Sequence, residues 1–427
     1  MRRFIFTDPG FEAAFSAFIE ERRETPEEVD TVVRDVIAAV RTEGLSALLR
    51  FARDFDGVAL DEQSIRVGED EIEAGAAACP QSVRDAIAFA AERIRSYHAR
   101  QRPADMRFVD EAGVELGWRW TPLEAVGIYV PGGRAAYPST VLMNAVPAAV
   151  AGVARIAMVT PPGRLQPAVL AAAKAAGVRE IWRVGGAQAV AALAYGAGPI
   201  RPVDKIVGPG NAFVTAAKRR VYGAVGIDAL AGPSEIVVVA DGLNRPEWIA
   251  ADLLSQAEHD PAAQSILITD DEAFAAKVEA AIAEQLSVLA TGEDAGASWR
   301  DHGAVVIAPL SEAPKLVDRI APEHVEFAIE RPEGLADQVR HAGAIFLGRY
   351  APEAIGDYVA GSNHVLPTSR AARFSSGLSL YDFIKRTSIV KCDEAAFARL
   401  APATVALAEA EGLPAHARSA AIRMGQG

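Results

Sequence analysis

Between about Ala125 and Ala240 the chain repeats one unit: a short apolar run, a glycine-rich turn, then a stretch of helical character. Val126-Gly127-Ile128-Tyr129-Val130 ends in Pro131-Gly132-Gly133, and Ile156–Thr160 ends in Pro161-Pro162-Gly163. Ile181–Val184 ends in Gly185-Gly186, and Lys205-Ile206-Val207 ends in Gly208-Pro209-Gly210. Helical stretches follow at 139–152, 168–176, 187–195 and 211–222, and Ile236–Ala240 reads as a further strand. Strands alternating with helices across short turns are satisfied by a parallel sheet with helices on its faces. Ligands bind such a sheet beyond the carboxyl ends of its strands. There glycine lets backbone approach a phosphate, and a helix N-terminus favours its charge. The strict dinucleotide fingerprint is incomplete, because Phe213 stands where the third glycine after Gly208 and Gly210 belongs.

A second α/β unit runs from about Gly242 to Pro367, with strands expected at 265–269, 305–307, 324–329 and 344–347. Residues before about 120 read as mostly helical. Pro26–Phe55 carries an apolar stripe through Val29, Val32, Val33, Val36, Ile37, Val40 and Leu45. In Gln81–Ala99 the residues Ile87, Phe89, Ala90 and Ile94 are expected inward, while Phe108–Trp120 alternates as strands do. Two tail helices are expected, at 395–400 and 402–411.

A chain of 427 residues suffices for two or three domains. Its net charge of −13, with no offsetting basic run, excludes nucleic acid and anionic membrane as partners. No stretch approaches the roughly 20 apolar residues of a membrane span, and the first residues lack the apolar core of a signal peptide. The cytoplasm is the expected compartment. Cys79 and Cys392, far apart, make no disulfide framework, and both read as packed rather than reactive. An oxidation of aldehyde to acid on this chain would therefore pass through a hydrate, not a thioester.

The polar groups that carry chemistry gather at a few places. Asn244 is expected to cap a helix whose stripe is Trp248, Ile249, Leu253 and Leu254. Gln256 and His259, three apart near its end, project from one face before Asp260-Pro261 stops it. Two readings fit them: half of a metal site, or a histidine capping the last carbonyls beside a solvated glutamine. Glu323-His324 stands at a loop-to-strand junction, where adjacent carboxylate and imidazole suit general acid–base work; a helix cap beside a surface histidine is the alternative. Gly356-Asp357-Tyr358 and Ser362-Asn363-His364 frame a polar loop, and His416 follows Pro414 in the tail. Together Gln256, His259, Asp357 and His416 would offer zinc two imidazoles, a carboxylate and an amide oxygen. His98, His302 and His341 read as surface residues.

Several of these runs, in this order, resemble the histidinol dehydrogenase family. They are Ile128–Gly133, Val184–Ala189, Lys205–Asn211, Ala231–Glu235, Gln256–His259, Pro322–His324, Gly356–Tyr358, Asn363–Thr368 and Gly412–Ala417. The resemblance spans nearly the whole chain. It implies a zinc-dependent enzyme that oxidises L-histidinol to L-histidine with two NAD, through L-histidinaldehyde, ending histidine biosynthesis. It implies Gln256, His259, Asp357 and His416 as zinc ligands and Glu323 and His324 as the acid–base pair. Tyr129, Gln188 and Asn211 match the family's NAD contacts; Ser234, His324, Glu411 and the zinc ligands match its substrate contacts. It implies two Rossmann-like parallel-sheet domains, one inserted in the other, between an N-terminal helical segment and a C-terminal helical tail. The expected divisions are an extension at 1–22, a zinc and catalytic domain at 23–127 plus 237–378, an inserted NAD-binding domain at 128–236, and a tail at 379–427 that reaches the partner protomer of a homodimer. Relatives acting on another primary alcohol, or a zinc hydrolase using Glu323 alone, are the competing expectations.

Overall fold

The computed structural model describes residues 1–21, 27–132, 137–163 and 165–425; Pro26 and Gly133, named above, lie outside them. Among the described residues the strands form three sheets. One is five-stranded and parallel, in the order β6-β5-β4-β7-β8, built from β4 (Ala125–Tyr129), β5 (Arg155–Thr160), β6 (Glu180–Arg183), β7 (Lys205–Val207) and β8 (Gly226–Ile227). The second is six-stranded and parallel, in the order β1-β11-β10-β9-β12-β13. Its strands are β1 (Arg2–Ile5), β9 (Glu235–Ala240), β10 (Gln264–Thr269), β11 (Ala304–Ile307), β12 (His324–Ala328) and β13 (Ala344–Leu347). The third is antiparallel, with β3 (Glu115–Pro122) between β2 (Met106–Val109) and β14 (Ile384–Lys391).

The α/β class with parallel sheets is as expected, but the assignment of segments differs in places. Ile236–Ala240 does not continue the first sheet; β9 lies at the centre of the second, between β10 and β12. Its run is apolar on both faces and wholly buried, as a parallel strand covered on both sides requires. The residue alternation cannot say which sheet claims such a strand. The helices at 27–99, grouped in sequence with 237–378, pack on the five-stranded sheet instead. Val33, Val36 and Leu48 join Val190, Leu193 and Val214 on one face. Ile87, Ala91 and Ile94 join Val141, Val146 and Leu170 on the other. Divisions at 127/128 and 236/237 would cut through β4 and β9.

The segment 1–22 is not purely helical. It opens with β1, an edge strand held against β11, and its helix Phe11–Glu20 buries Phe11, Phe15 and Phe18 with Phe4 and Phe327. The two expected tail helices are one, Glu394–Ala410, which runs through Pro402, and a second helix Pro414–Ala421 follows. Ala396, Ala401, Ala408, Ala417 and Ala420 are buried there, while Leu407, Leu413 and Ile422 stay exposed. His98 is buried rather than on the surface, its Nδ1 paired with the Gln101 amide oxygen at 2.8 Å. Phe89 points outward, and Cys392 is exposed while Cys79 is buried. Among the described residues no helix is long and apolar enough to cross a membrane.

Candidate active site

The carboxyl edge of the five-stranded sheet is a glycine-lined cradle. Gly208, after β7, has φ +111°, and a side chain there would strike the Tyr129 carbonyl. Its backbone is clamped on both sides: Gly208 N–H donates to Asp228 Oδ2 at 2.7 Å, and Lys218 Nζ donates to Gly208 O at 3.0 Å. Lys218 and Asp228 are themselves a buried ion pair. The Tyr129 hydroxyl accepts from Gly186 N–H at 3.0 Å, where the helix Gly186–Tyr195 begins, and burial pushes its pKa up to about 12. Gln188 is buried in the first turn of that helix. Asn211 caps the next one, Ala212–Val221, accepting from Phe213 and Val214 N–H through Oδ1 alone. Three of the expected dinucleotide residues thus stand on two helix N-termini and the strand end between them.

The acid–base pair occupies the opposite kind of edge. His324 is the first residue of β12 and Glu323 precedes it, so both stand where strands begin. Ala321, at φ 52°, ends the preceding helix in the left-handed region and turns the chain into the pair. His324 Nδ1 lies 3.1 Å from Glu235 O, which requires the proton on Nδ1 and leaves the lone pair on Nε2. Nε2 is buried without a hydrogen-bond partner. Burial holds this imidazole neutral, its pKa lowered to about 3. Glu323 accepts from Glu235 N–H at 3.1 Å and from the Ser234 hydroxyl. Burial first, then the Glu235 charge, holds its carboxyl well above the usual carboxylate range.

Beside this pair lies a group of metal donors. Ligand atoms of His259, Glu353 and Asp357 lie within 4.8 Å of one another. Gln256 is fully buried in the last turn of Pro246–Ala257, and neither its amide oxygen nor its nitrogen has a partner. A buried amide left wholly unpaired is a costly state unless a ligand completes it. This removes the solvated-glutamine reading. Asp357 Oδ1 is 3.8 Å from His324 Nε2, and burial pushes its pKa to about 6. Asp357 O accepts from His364 Nδ1 at 2.9 Å, while Asn363 Nδ2 donates to Met143 O at 2.6 Å, so this loop ties the donor group to the other sheet's helical layer. Two imidazole-or-amide donors and carboxylates suit zinc.

The single chain does not bring every expected residue here. Glu411 and His416 are exposed on the tail, and His416 belongs to no metal-donor group among the described residues. Asn244 does not cap its helix; its Nδ2 donates to Asp241 O and Ala328 O instead. Glu353 was not anticipated, although its spacing of four from Asp357 puts both on one helical face.

Comparison with known proteins gives the family. A family model described as histidinol dehydrogenase matches residues 19–424. The chain belongs to the histidinol dehydrogenase family. It is 78% identical over 427 residues to a histidinol dehydrogenase of Caulobacter vibrioides, covering 100% of both chains. It is 59% identical to that of Rhodospirillum rubrum, over 98% of this chain and 97% of the other. The crystal structure of histidinol dehydrogenase from Elizabethkingia anophelis superposes with a TM-score of 0.94 at 36% identity, covering 100% of this chain and 98% of that one. As a member of this family the chain is an oxidoreductase acting on a small molecule.

Proposed function

We propose that this site carries out the four-electron oxidation of L-histidinol to L-histidine, through the aldehyde, with zinc bound and NAD as acceptor. The observation that carries the reading is the buried Glu323-His324 pair beside an uncompleted donor set. Gln256, His259 and Asp357 would hold the zinc, with His416 supplied by the partner subunit of a homodimer, together with Glu411 for the substrate. When bound, the metal fixes and polarises a substrate through its nitrogen atoms, and NAD accepts hydride. The chain's own groups do the rest. His324 Nε2, bearing the lone pair, takes the alcohol proton as hydride departs. The carboxylates of Glu353 and Glu323, 3.5 and 3.8 Å from Nδ1, favour the imidazolium once formed. Glu323, whose carboxylate burial makes a stronger base and which accepts from Ser234, takes a proton from water as it adds to the aldehyde, while the His324 imidazolium returns its proton to the carbonyl oxygen to complete the hydrate. His324 then deprotonates the hydrate for the second hydride transfer. Burial of both groups keeps bulk water from the reactive aldehyde. Tyr129, Gln188 and Asn211 would contact the dinucleotide at the cradle, and the compartment is the cytoplasm.

The test is NADH formed per L-histidinol consumed, at limiting substrate, by the zinc-loaded protein. Two per substrate, abolished by chelation, is expected. One per substrate would end the role given to Glu323; none would point to another primary alcohol.

A further inference from the structure

The glycine cradle of the five-stranded sheet has beside it one acid that nothing in the local fold favours. We propose that Asp56 selects NAD over NADP by accepting hydrogen bonds from the adenosine ribose at this cradle; this rests on the dinucleotide reading above. The first support is an acid missing from its usual place. The order β6-β5-β4-β7-β8 is that of a doubly wound sheet in which β4 comes first and β5 second. In dinucleotide-binding sheets of this order, an acid about 20 residues past the first glycine turn accepts from the ribose 2′-hydroxyl. Here β5 runs into Pro161-Pro162-Gly163, and the sequence has no Asp or Glu between Glu124 and Glu180. An acid for the ribose must come from outside the sheet.

The second support is the setting of Asp56. It is the last residue of the helix Leu45–Asp56, which ends on Gly57 at φ 67°. A helix C-terminus disfavours negative charge, so this is the wrong end for an acid. At helical spacing it follows the buried Leu48 and Ala52, on the face turned to the helix Gly186–Tyr195. Its Oδ2 is buried without a hydrogen-bond partner, and among the described residues no Lys or Arg pairs with it. Its charge also helps to hold the proton on the Tyr129 hydroxyl, which meets Gly186 N–H at the start of that helix. The carboxylate thus lies at the cradle with an oxygen to spare. Ribose hydroxyls would donate to it and offset its burial. A 2′-phosphate, bearing about −2 charge, would meet an acid with no counter-charge.

The test uses the full, zinc-loaded chain and the binding of reduced nucleotides, read by their fluorescence. The parent is expected to bind NADH at least about tenfold more tightly than NADPH, and more tightly than the analogue whose adenosine ribose lacks its 2′-hydroxyl. Asp56→Ala should bind all three alike, because the acceptor and the charge have both gone. In turnover of L-histidinol its loss should fall on KM for NAD rather than on kcat. Its cooperative unfolding should come at a temperature no lower than the parent's, since an acid has left a helix C-terminus. Where that variant fails to fold, the isosteric Asp56→Asn is expected to lose the preference over NADPH. A folded variant that keeps both of the parent's preferences would overturn the assignment, as would a parent that has neither. A parent that binds no reduced nucleotide would overturn the dinucleotide reading as well.

Discussion

The two sheets bury charge in opposite ways. At the carboxyl edge of the five-stranded sheet, Lys218 and Asp228 face each other and share the backbone of Gly208 between them. That pair is compensated within the chain. At the amino edge of the six-stranded sheet, Glu323, Glu326, Glu353 and Asp357 crowd together, and burial pushes each above the usual carboxylate range. The first arrangement makes a rigid frame around which a ligand is optional. The second is unfinished protein, and its deficit is the mark of what it binds. A self-compensated buried pair speaks of structure; an uncompensated one speaks of function.

Catalysis should break most sharply at the unfinished edge. His324→Ala is expected to lower kcat by about a thousandfold, with zinc content unchanged, as followed by NADH absorbance under saturating substrate. At the compensated edge the loss should be of stability. Lys218→Met, which strands Asp228, is expected to cost about 3–5 kcal/mol in urea denaturation. Replacing both partners with apolar residues should recover most of it, and a double variant as unstable as the single one would deny that the pair is self-sufficient. Metal sharpens the contrast. Free Zn²⁺ at about a hundred times its Kd should stabilise the parent by about 2.7 kcal/mol, and chelation should remove this from the parent but leave the Lys218→Met deficit unchanged. The smallest effect is in pH. Asp357 in the metal-free fold titrates near 6, above its ordinary 3.8. The folded state therefore holds the proton more tightly, and this contribution is present below about pH 4 and lost as pH rises through 6. Metal-free parent should lose on the order of 2 kcal/mol relative to Asp357→Asn across that window, measured by denaturation at each pH. Parallel curves for the two proteins would show that Asp357 is not held protonated.

Legibility in the sequence followed the length scale of each signal. The cradle is local: Gly208-Pro209-Gly210 shows turn and close approach within three residues, and both hold. Glu323-His324 was also readable, because adjacency at a strand start needs no long-range information. Gln256 was ambiguous in sequence, and its burial without partners removes only the solvated reading. Glu353 was missed because Gly356-Asp357-Tyr358 reads in sequence as framing a loop, whereas the helix Glu353–Tyr358 sets Glu353 one turn before Asp357. What it faces comes from β12 and the helix Pro246–Ala257, outside its own segment of chain. His98 misled for a similar reason: its own helix is charged around it, and its burial is imposed by Gln101 and by the elements packed over it. The stripes at 27–99 hold except at Val32 and Phe89, which are exposed, but a stripe does not name the sheet it covers.

The pairing of β1 bears on how the chain reaches this state during synthesis. All five strands of the smaller sheet lie within 125–227, so that unit can close as soon as this stretch has left the ribosome. The larger sheet cannot. Arg2 aligns with Ala304, so β1 waits for a partner some three hundred residues later, and β13 comes later still. Throughout that interval Phe4, Phe11, Phe15 and Phe18 have no core to enter. That apolar segment stays uncovered until the later strands are made, and it, rather than the chemistry, is where a chaperone has the most to do.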